Sequence, residues 1–165
     1  MPDGRFQVFI SFSMPIYVVN LKAIIVKDGK IMVIKKKRYA HTKSGPISYI
    51  DYSLPGGLVY YDESIEDALK REVKTEIGLD IEPLFPIYTT KYVHPTSGHW
   101  NIKIDYIVKV KGGEIKLGRE FDQEFLEVCW VDENTKDIPD WLKKEVKIIK
   151  ERLRSLNLEN FSSYE

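Results

Sequence analysis

Two strand-length, largely apolar runs stand near the start of the chain, Ile16 to Lys27 and Lys30 to Lys37, separated by Asp28-Gly29. Such runs broken by Asp-Gly predict two strands joined by a tight turn. A polar stretch with Gly45 and Pro46 predicts a loop from about Tyr39 to Ile47. A strand over Ser48 to Leu54 follows and stops at Pro55-Gly56-Gly57. The period then changes. Ile65, Ala68, Leu69, Val73 and Ile77 share one helical face over Ser64 to Ile77. Ser64 is placed to cap that helix, with Asp67 three residues on, and Gly78 to end it in a left-handed turn. Strand-like runs recur at Ile81 to Val93, Trp100 to Val110 and Phe125 to Val131. Leu142, Val146, Ile149, Leu153 and Leu156 then mark an amphipathic C-terminal helix. Strands interspersed with two helices predict an α/β fold, a mixed sheet with helices packed on its faces.

Composition narrows the class. A chain of 165 residues with 43% hydrophobic and 30% charged residues is expected to form one soluble domain with a sizeable core. Residues 14–160 are read as that domain, with residues 1–13 as an N-terminal extension or an extra strand. The apolar segment Phe6 to Phe12 lacks the length and cleavage site of a secretory signal. Basic and acidic residues number 25 each, which gives no case for general nucleic-acid binding. Cys129 is the single cysteine, so an internal disulfide and a cysteine-built zinc site are excluded, and a reducing cytoplasm is the expected setting. The apolar run at Ala23 to Val26 is strand-sized, so no membrane span is expected.

The chemistry gathers between Gly57 and Leu79. Gly56-Gly57 ends a strand, Glu63 precedes the helix, and Arg71, Glu72 and Glu76 lie along it. Glu72 and Glu76 are four residues apart, so their carboxylates sit one above the other on the same face. At roughly 4 Å and an effective dielectric near 20 they would repel by about 4 kcal/mol before screening. A lysine or a divalent cation must relieve that repulsion. Mg²⁺ suits carboxylate oxygens, a backbone carbonyl, water and substrate phosphates. Glu66–Lys70 and Asp67–Arg71 read as ordinary solvated pairs on the same helix.

This stretch resembles the box of the Nudix hydrolases, G-x5-E-x7-R-E-U-x-E-E-x-G-U with U a bulky aliphatic residue. Gly57, Glu63, Arg71, Glu72, Val73, Glu76, Gly78 and Leu79 stand at those spacings, and Leu54-Pro55-Gly56 resembles the family's entry into the box. The resemblance implies an α/β/α sandwich and a Mg²⁺-dependent hydrolase of the pyrophosphate bond in nucleoside diphosphate derivatives, with Mn²⁺ as a substitute metal. It implies metal ligation by the Gly56 carbonyl, Glu72 and Glu76, with Arg71 and Glu63 as orienting partners. The family also draws a further Glu from a loop before the last strand. Glu120, Asp122, Glu124 and Glu127 crowd that region, and Glu124 is the choice made here. The first Glu of the family's Glu-Glu pair is Thr75, which keeps open an alternative, a non-catalytic nucleotide-binding or sensor module.

Weaker signals concern the substrate. Pro95 lies 16 residues beyond Leu79, resembling a proline associated with ADP-ribose pyrophosphatases. Neither the tyrosine of dinucleoside polyphosphate hydrolases nor a coenzyme A signature is present. ADP-ribose or a nucleotide sugar is therefore favoured over nucleoside triphosphates. His94 and His99 read as loop residues near the cleft without partner ligands, and the run Lys35 to Arg38 as a strand end with one reach toward phosphate. Tyr60 and Tyr61 read as core or as cleft flank, and Trp130 as core. A homodimer through exposed aromatic strands near the N-terminus is an expectation.

Overall fold

The computed structural model describes residues 17–94 and 97–164. The expected extension or strand at 1–13, Ile16 and Pro95 lie outside those residues. Eight strands and two helices follow in order: β1 Tyr17–Ile24, β2 Val26–Lys27, β3 Lys30–Thr42, β4 Gly45–Ser53, β5 Gly56–Leu58, α1 Ile65–Ile77, β6 Leu79–Val93, β7 Trp100–Gly113, β8 Gln123–Val131 and α2 Asp140–Ser155. One sheet has the order β5-β1-β7-β6, and in the other β3 pairs with β2, β4 and β8. The first is mixed, because β1 and β7 run parallel while β1–β5 and β6–β7 are antiparallel.

The two helices cover opposite faces. Leu21, Ala23 and Ile25 pack with Ala68, Leu69, Val73 and Ile77 of α1. Ile24, Val26, Ile31, Val33 and Ile107 pack with Leu142, Val146, Ile149 and Leu153 of α2. Consecutive strand residues thus serve different cores, as the pleat requires. The result is the expected α/β/α sandwich. No helix among the described residues is long and apolar enough to cross a membrane.

The predicted helix and its caps agree with the structure. Ser64 accepts from the Asp67 amide, and Gly78 ends α1 with φ 78°. Asp28 and Gly29 both have positive φ, the backbone of a two-residue hairpin turn. The predicted first strand divides at Ile25, whose carbonyl accepts from Met32 as the chain passes between sheets. Leu156 is the C-cap of α2 and not part of the helix.

The expected loop from Tyr39 to Ile47 is a correction. β3 and β4 pair without interruption from Ile34↔Ser53 to Thr42↔Gly45, forming one long hairpin. Its turn is held by Thr42 Oγ1, which donates to the Gly45 carbonyl and accepts from the Ser44 amide. Pro46 is tolerated because β4 has only β3 as a neighbour, so its missing N–H costs no ladder bond. The hairpin forms one wall of a large cleft, and α1 with the first sheet forms the other.

Candidate active site

The turn before α1 brings the strand end and the helix face together. Gly56 has φ 139°, and a Cβ there would lie 2.0 Å from the Leu21 carbonyl oxygen, so only glycine fits. At Gly57 a Cβ would lie 2.5 Å from the Glu72 carboxylate, so the missing side chain is what admits that carboxylate.

Arg71 locks the turn onto the helix. Its Nε and Nη2 donate to the two Glu63 oxygens at 2.9 and 2.6 Å, Nη1 donates to Glu72 Oε1 at 2.7 Å, and Nη2 also reaches the Leu58 carbonyl. Its guanidinium stacks over Tyr60 at 4.2 Å. The paired guanidinium holds the Glu63 carboxyl down at about 2, and the acids hold Arg71 above its ordinary value. The expected Asp67–Arg71 surface pair is therefore corrected, because Arg71 spends its donors inward.

Glu76 is 1% exposed. One of its oxygens accepts from the Gly56 amide at 2.8 Å and the other lies 3.6 Å from Lys36 Nζ. Burial raises its pKa, opposed by Lys36 and Lys22. Both lysines are buried. Burial lowers the Lys22 pKa to about 8, and that of Lys36 also falls. Lys22 donates to the Gly56 carbonyl at 3.3 Å. The repulsion between the two glutamates is thus already relieved on both sides, by Arg71 at Glu72 and by lysines at Glu76.

The donor set suits a hard divalent cation. Gly56 offers a carbonyl, Glu76 a carboxylate under-solvated enough to gain from a second charge, and Glu72 an oxygen to which no hydrogen bond runs among the described residues. No group of three or more His, Cys, Asp or Glu able to hold a metal occurs among the described residues. Protein oxygens alone would therefore leave the shell of such a cation incomplete.

Strand alternation decides what else faces the cleft, a space of about 1010 Å³. Lys36 and Arg38 line it, while Lys35 turns outward to Glu127 at 3.3 Å. Arg38 is held by Asp51 at 2.5 Å. On β8 the same rule separates Gln123, which lines the cleft, from Glu124, which is exposed and accepts from the Tyr39 hydroxyl at 3.2 Å. Glu120 and Asp122 line the cleft, and Glu120 is close enough to raise the Glu76 pKa. The structure thus brings together Gly56, Glu63, Arg71, Glu72 and Glu76, and leaves Glu124 outside the cleft that Glu120 lines. Backbone bonds put Glu120 there. The Lys116 and Gly118 amides donate to the Ile77 and Glu76 carbonyls at 2.9 and 2.8 Å, tying the β7–β8 loop to the end of α1.

Tyr60, Thr75, His94 and His99 line the cleft, whereas Tyr61 is fully exposed. Trp130 is half-buried against the first core, edge to face with Tyr164. Sequence reasoning missed Asn20, Lys22, Lys103, Asp105 and Glu145, and named Glu120 without choosing it. The signal for the lysines was their parity, since Lys22 and Lys36 share faces with Ile24 and Ile34.

Comparison with known proteins gives a consistent picture. The NUDIX domain model matches residues 17–151. An ADP-ribose pyrophosphatase of Methanocaldococcus jannaschii is 34% identical over 142 residues, covering 84% of this chain and 75% of that protein. The 8-oxo-dGDP phosphatase NUDT18 of Danio rerio is 29% identical over 116 residues, which are 70% of this chain and 32% of that protein. The crystal structure of a MutT NUDIX hydrolase from Burkholderia pseudomallei superposes with a TM-score of 0.62 at 26% identity, covering 84% of this chain and 98% of the other.

Proposed function

This chain belongs to the NUDIX domain family and is a pyrophosphohydrolase, and from that premise we propose a Mg²⁺-dependent enzyme that cleaves ADP-ribose or another nucleotide sugar in preference to nucleoside triphosphates. The observation that carries the metal assignment is the convergence of Glu72, Glu76 and the Gly56 carbonyl at one cleft edge, braced by Arg71. The substrate preference rests on the similarity to an ADP-ribose pyrophosphatase. The resemblance to an 8-oxo-dGDP phosphatase spans about a third of that protein and keeps an oxidised nucleotide as the second substrate class.

Glu72, Glu76 and Gly56 would hold the Mg²⁺, with Mn²⁺ as its substitute. The bound cation supplies Lewis-acid charge at the phosphate oxygens and a more acidic water. The protein supplies the rest. Lys36, Lys22 and Arg38 face the cleft as cations that orient a pyrophosphate and offset the charge it gains at the transition state. Glu120 is the cleft-facing acid that accepts the proton of the attacking water, a role the exposed Glu124 is not placed to fill. Arg71 does not touch substrate in this reading; it fixes Glu72 and the turn. One catalytic unit within residues 14–160, acting in the cytoplasm on a small nucleotide, completes the proposal, with self-association through the N-terminal strands as its oligomeric form.

Glu76→Gln tests it. Turnover of ADP-ribose with Mg²⁺ should fall by about 10²-fold or more while the protein stays folded. Wild-type turnover in that variant overturns the assignment of Glu76. A folded wild-type protein that binds nucleotide but releases no product across the substrate classes would favour the sensor alternative and place Thr75 at its centre.

A further inference from the structure

An open sheet edge presents a row of main-chain donors and acceptors, a ready template for another strand. The edges of this molecule are guarded unequally. β6 carries Pro83 and Pro86 and shifts register at three places. β8 shifts register opposite Lys35/Lys36 and exposes Glu124 and Glu127. β2 and β5 are two and three residues long. β4 has nine residues, β3 as its single neighbour among the described residues, and one charge, Asp51, already held by Arg38. Ile47, Ser48 and Ile50 on it are exposed.

The hairpin register shows which groups of β4 face outward. Thr42 and Gly45 flank the two-residue turn, the position at which a pair exchanges both main-chain bonds. Alternation then commits the N–H and C=O of Ile47, Tyr49 and Asp51 to β3. It turns those of Pro46, Ser48, Ile50 and Tyr52 to the open side. Pro46 has no N–H, and the Tyr52 amide donates to Asp51 Oδ1 at 2.9 Å. Ser48 and Ile50 therefore hold the available amides, and no backbone or side-chain group meets them among the described residues.

This pattern is complementary to itself. Let β4 run antiparallel to a copy of itself about a two-fold axis at Tyr49. Ser48 then stands opposite Ile50 of the second copy, and Ile50 opposite its Ser48. Every available amide meets a carbonyl, and each of those residues' carbonyls meets an amide. The deficient positions coincide, since Pro46 faces a Tyr52 whose amide is already spent. A slide of two residues either way sets the Ile50 carbonyl against Pro46 or the Ser48 carbonyl against that spent amide. Tyr49 packs against Tyr49, and Asp51 falls opposite Ile47, so like charges do not oppose.

We propose that the β4 edge is a docking surface for a second copy of this chain, paired edge to edge through Ser48 and Ile50. This names the surface of the self-association proposed above and rests on that reading. The sheet of β8, β3 and β4 continues into the second copy. Tyr49 lines the cleft, so the clefts open on the same side of one sheet, each bordered by Tyr49 of the other copy.

A single strand pair is a small interface, so sedimentation velocity of the full chain from about 10 µM to about 1 mM tests it. A concentration-dependent dimer is expected. Ser48→Pro removes an outward amide and spares the β3 ladder, as Pro46 does, and should weaken the dimer about tenfold or more. Ile50→Lys puts a charge on the edge at a residue 51% exposed and should weaken it likewise, which keeps the test if Ser48→Pro fails to fold. Ser48→Ala keeps the amide and should dimerise as the wild type does. Cross-linking in a Cys129→Ser background reads the register. Across the axis the Tyr49 Cα atoms lie about 4.5 Å apart, within disulfide reach, and those of Ser48 beyond about 7 Å. Oxidised Tyr49→Cys should run as a covalent dimer and Ser48→Cys should not. A dimer untouched by Ser48→Pro and Ile50→Lys, or cross-linked by Ser48→Cys instead of Tyr49→Cys, overturns the β4 pairing and leaves self-association standing. A monomer at every concentration overturns both.

Discussion

Replacing Gly57 by alanine separates the site from the fold. The new Cβ would lie 2.5 Å from both Cδ and Oε2 of Glu72 and 2.9 Å from Oε1. Ordinary contact begins near 3.4 Å, so the carboxylate must retreat by about 0.9 Å. It is the far end of a flexible side chain, and Gly57 does not have a positive φ, so the backbone tolerates the change. The stability effect should stay within about 1 kcal/mol. A displacement on the order of 1 Å in a positioned group can nonetheless cost about 10²-fold in rate. Gly56→Ala is the contrasting case. There the collision is 2.0 Å from a backbone oxygen and φ is 139°, so strain of about 1–3 kcal/mol adds to overpacking of similar size. Urea denaturation followed by tryptophan fluorescence, beside turnover and Mn²⁺ binding, reads both effects. Gly57→Ala should be stable, slow and weak for metal, while Gly56→Ala should be unstable. A Gly57→Ala protein with wild-type turnover and metal affinity would show that the placement of Glu72 is irrelevant to the chemistry.

Three further outcomes follow from the same geometry. Glu120→Gln should lower turnover by about 10²-fold or more while Glu124→Gln stays within about twofold, and the reverse order would return the role to Glu124. Lys36→Met strips Glu76 of an ammonium 3.6 Å away, a gross attraction of about 5 kcal/mol at an effective dielectric near 20. The folded Glu76 pKa, already raised by burial, then rises further, so the loss of stability should shrink as pH falls and Glu76 takes up a proton; a pH-independent loss refutes it. Burial raises the Asp105 pKa from 3.8 to about 6. Between those values the folded protein holds a proton that the unfolded chain has released, so stability falls as pH rises through that window, by about 3 kcal/mol in all. Asp105→Asn should gain on the wild type by about that amount between pH 4 and pH 7 in urea titrations, and a pH-independent difference would rule this out.

What was legible in the chain depended on how local its signal is. The helix Ile65–Ile77 and its caps were readable because period, Ser64 and Gly78 all agree within one short segment. The acid pair was readable for the same reason, since four-residue spacing on a helix is geometry. The hairpin from Tyr39 to Ile47 was not, because Gly45 and Pro46 signal a loop locally and pairing with β3 overrides them. Which of Glu120 and Glu124 faces the cleft was not readable without a register. Once Gln123↔Arg38 is known, alternation turns Glu124 away. Lys22, Lys103 and Asp105 stayed hidden because charged residues on strands read as solvated, and Lys36 stood out only as one of a basic run. Only the tertiary arrangement of two sheets and two helices shows that they pay their desolvation cost to one another.

The two backbone bonds from Lys116 and Gly118 to the end of α1 give the site a common frame. Glu76 and Glu120 are far apart in sequence, yet the segments bearing them are pinned within four residues of each other's side chains. Two backbone bonds, at 2.9 and 2.8 Å, thus fix the β7–β8 loop to the last turn of α1, so the segment leading to Glu120 takes its position from the helix that carries Glu76.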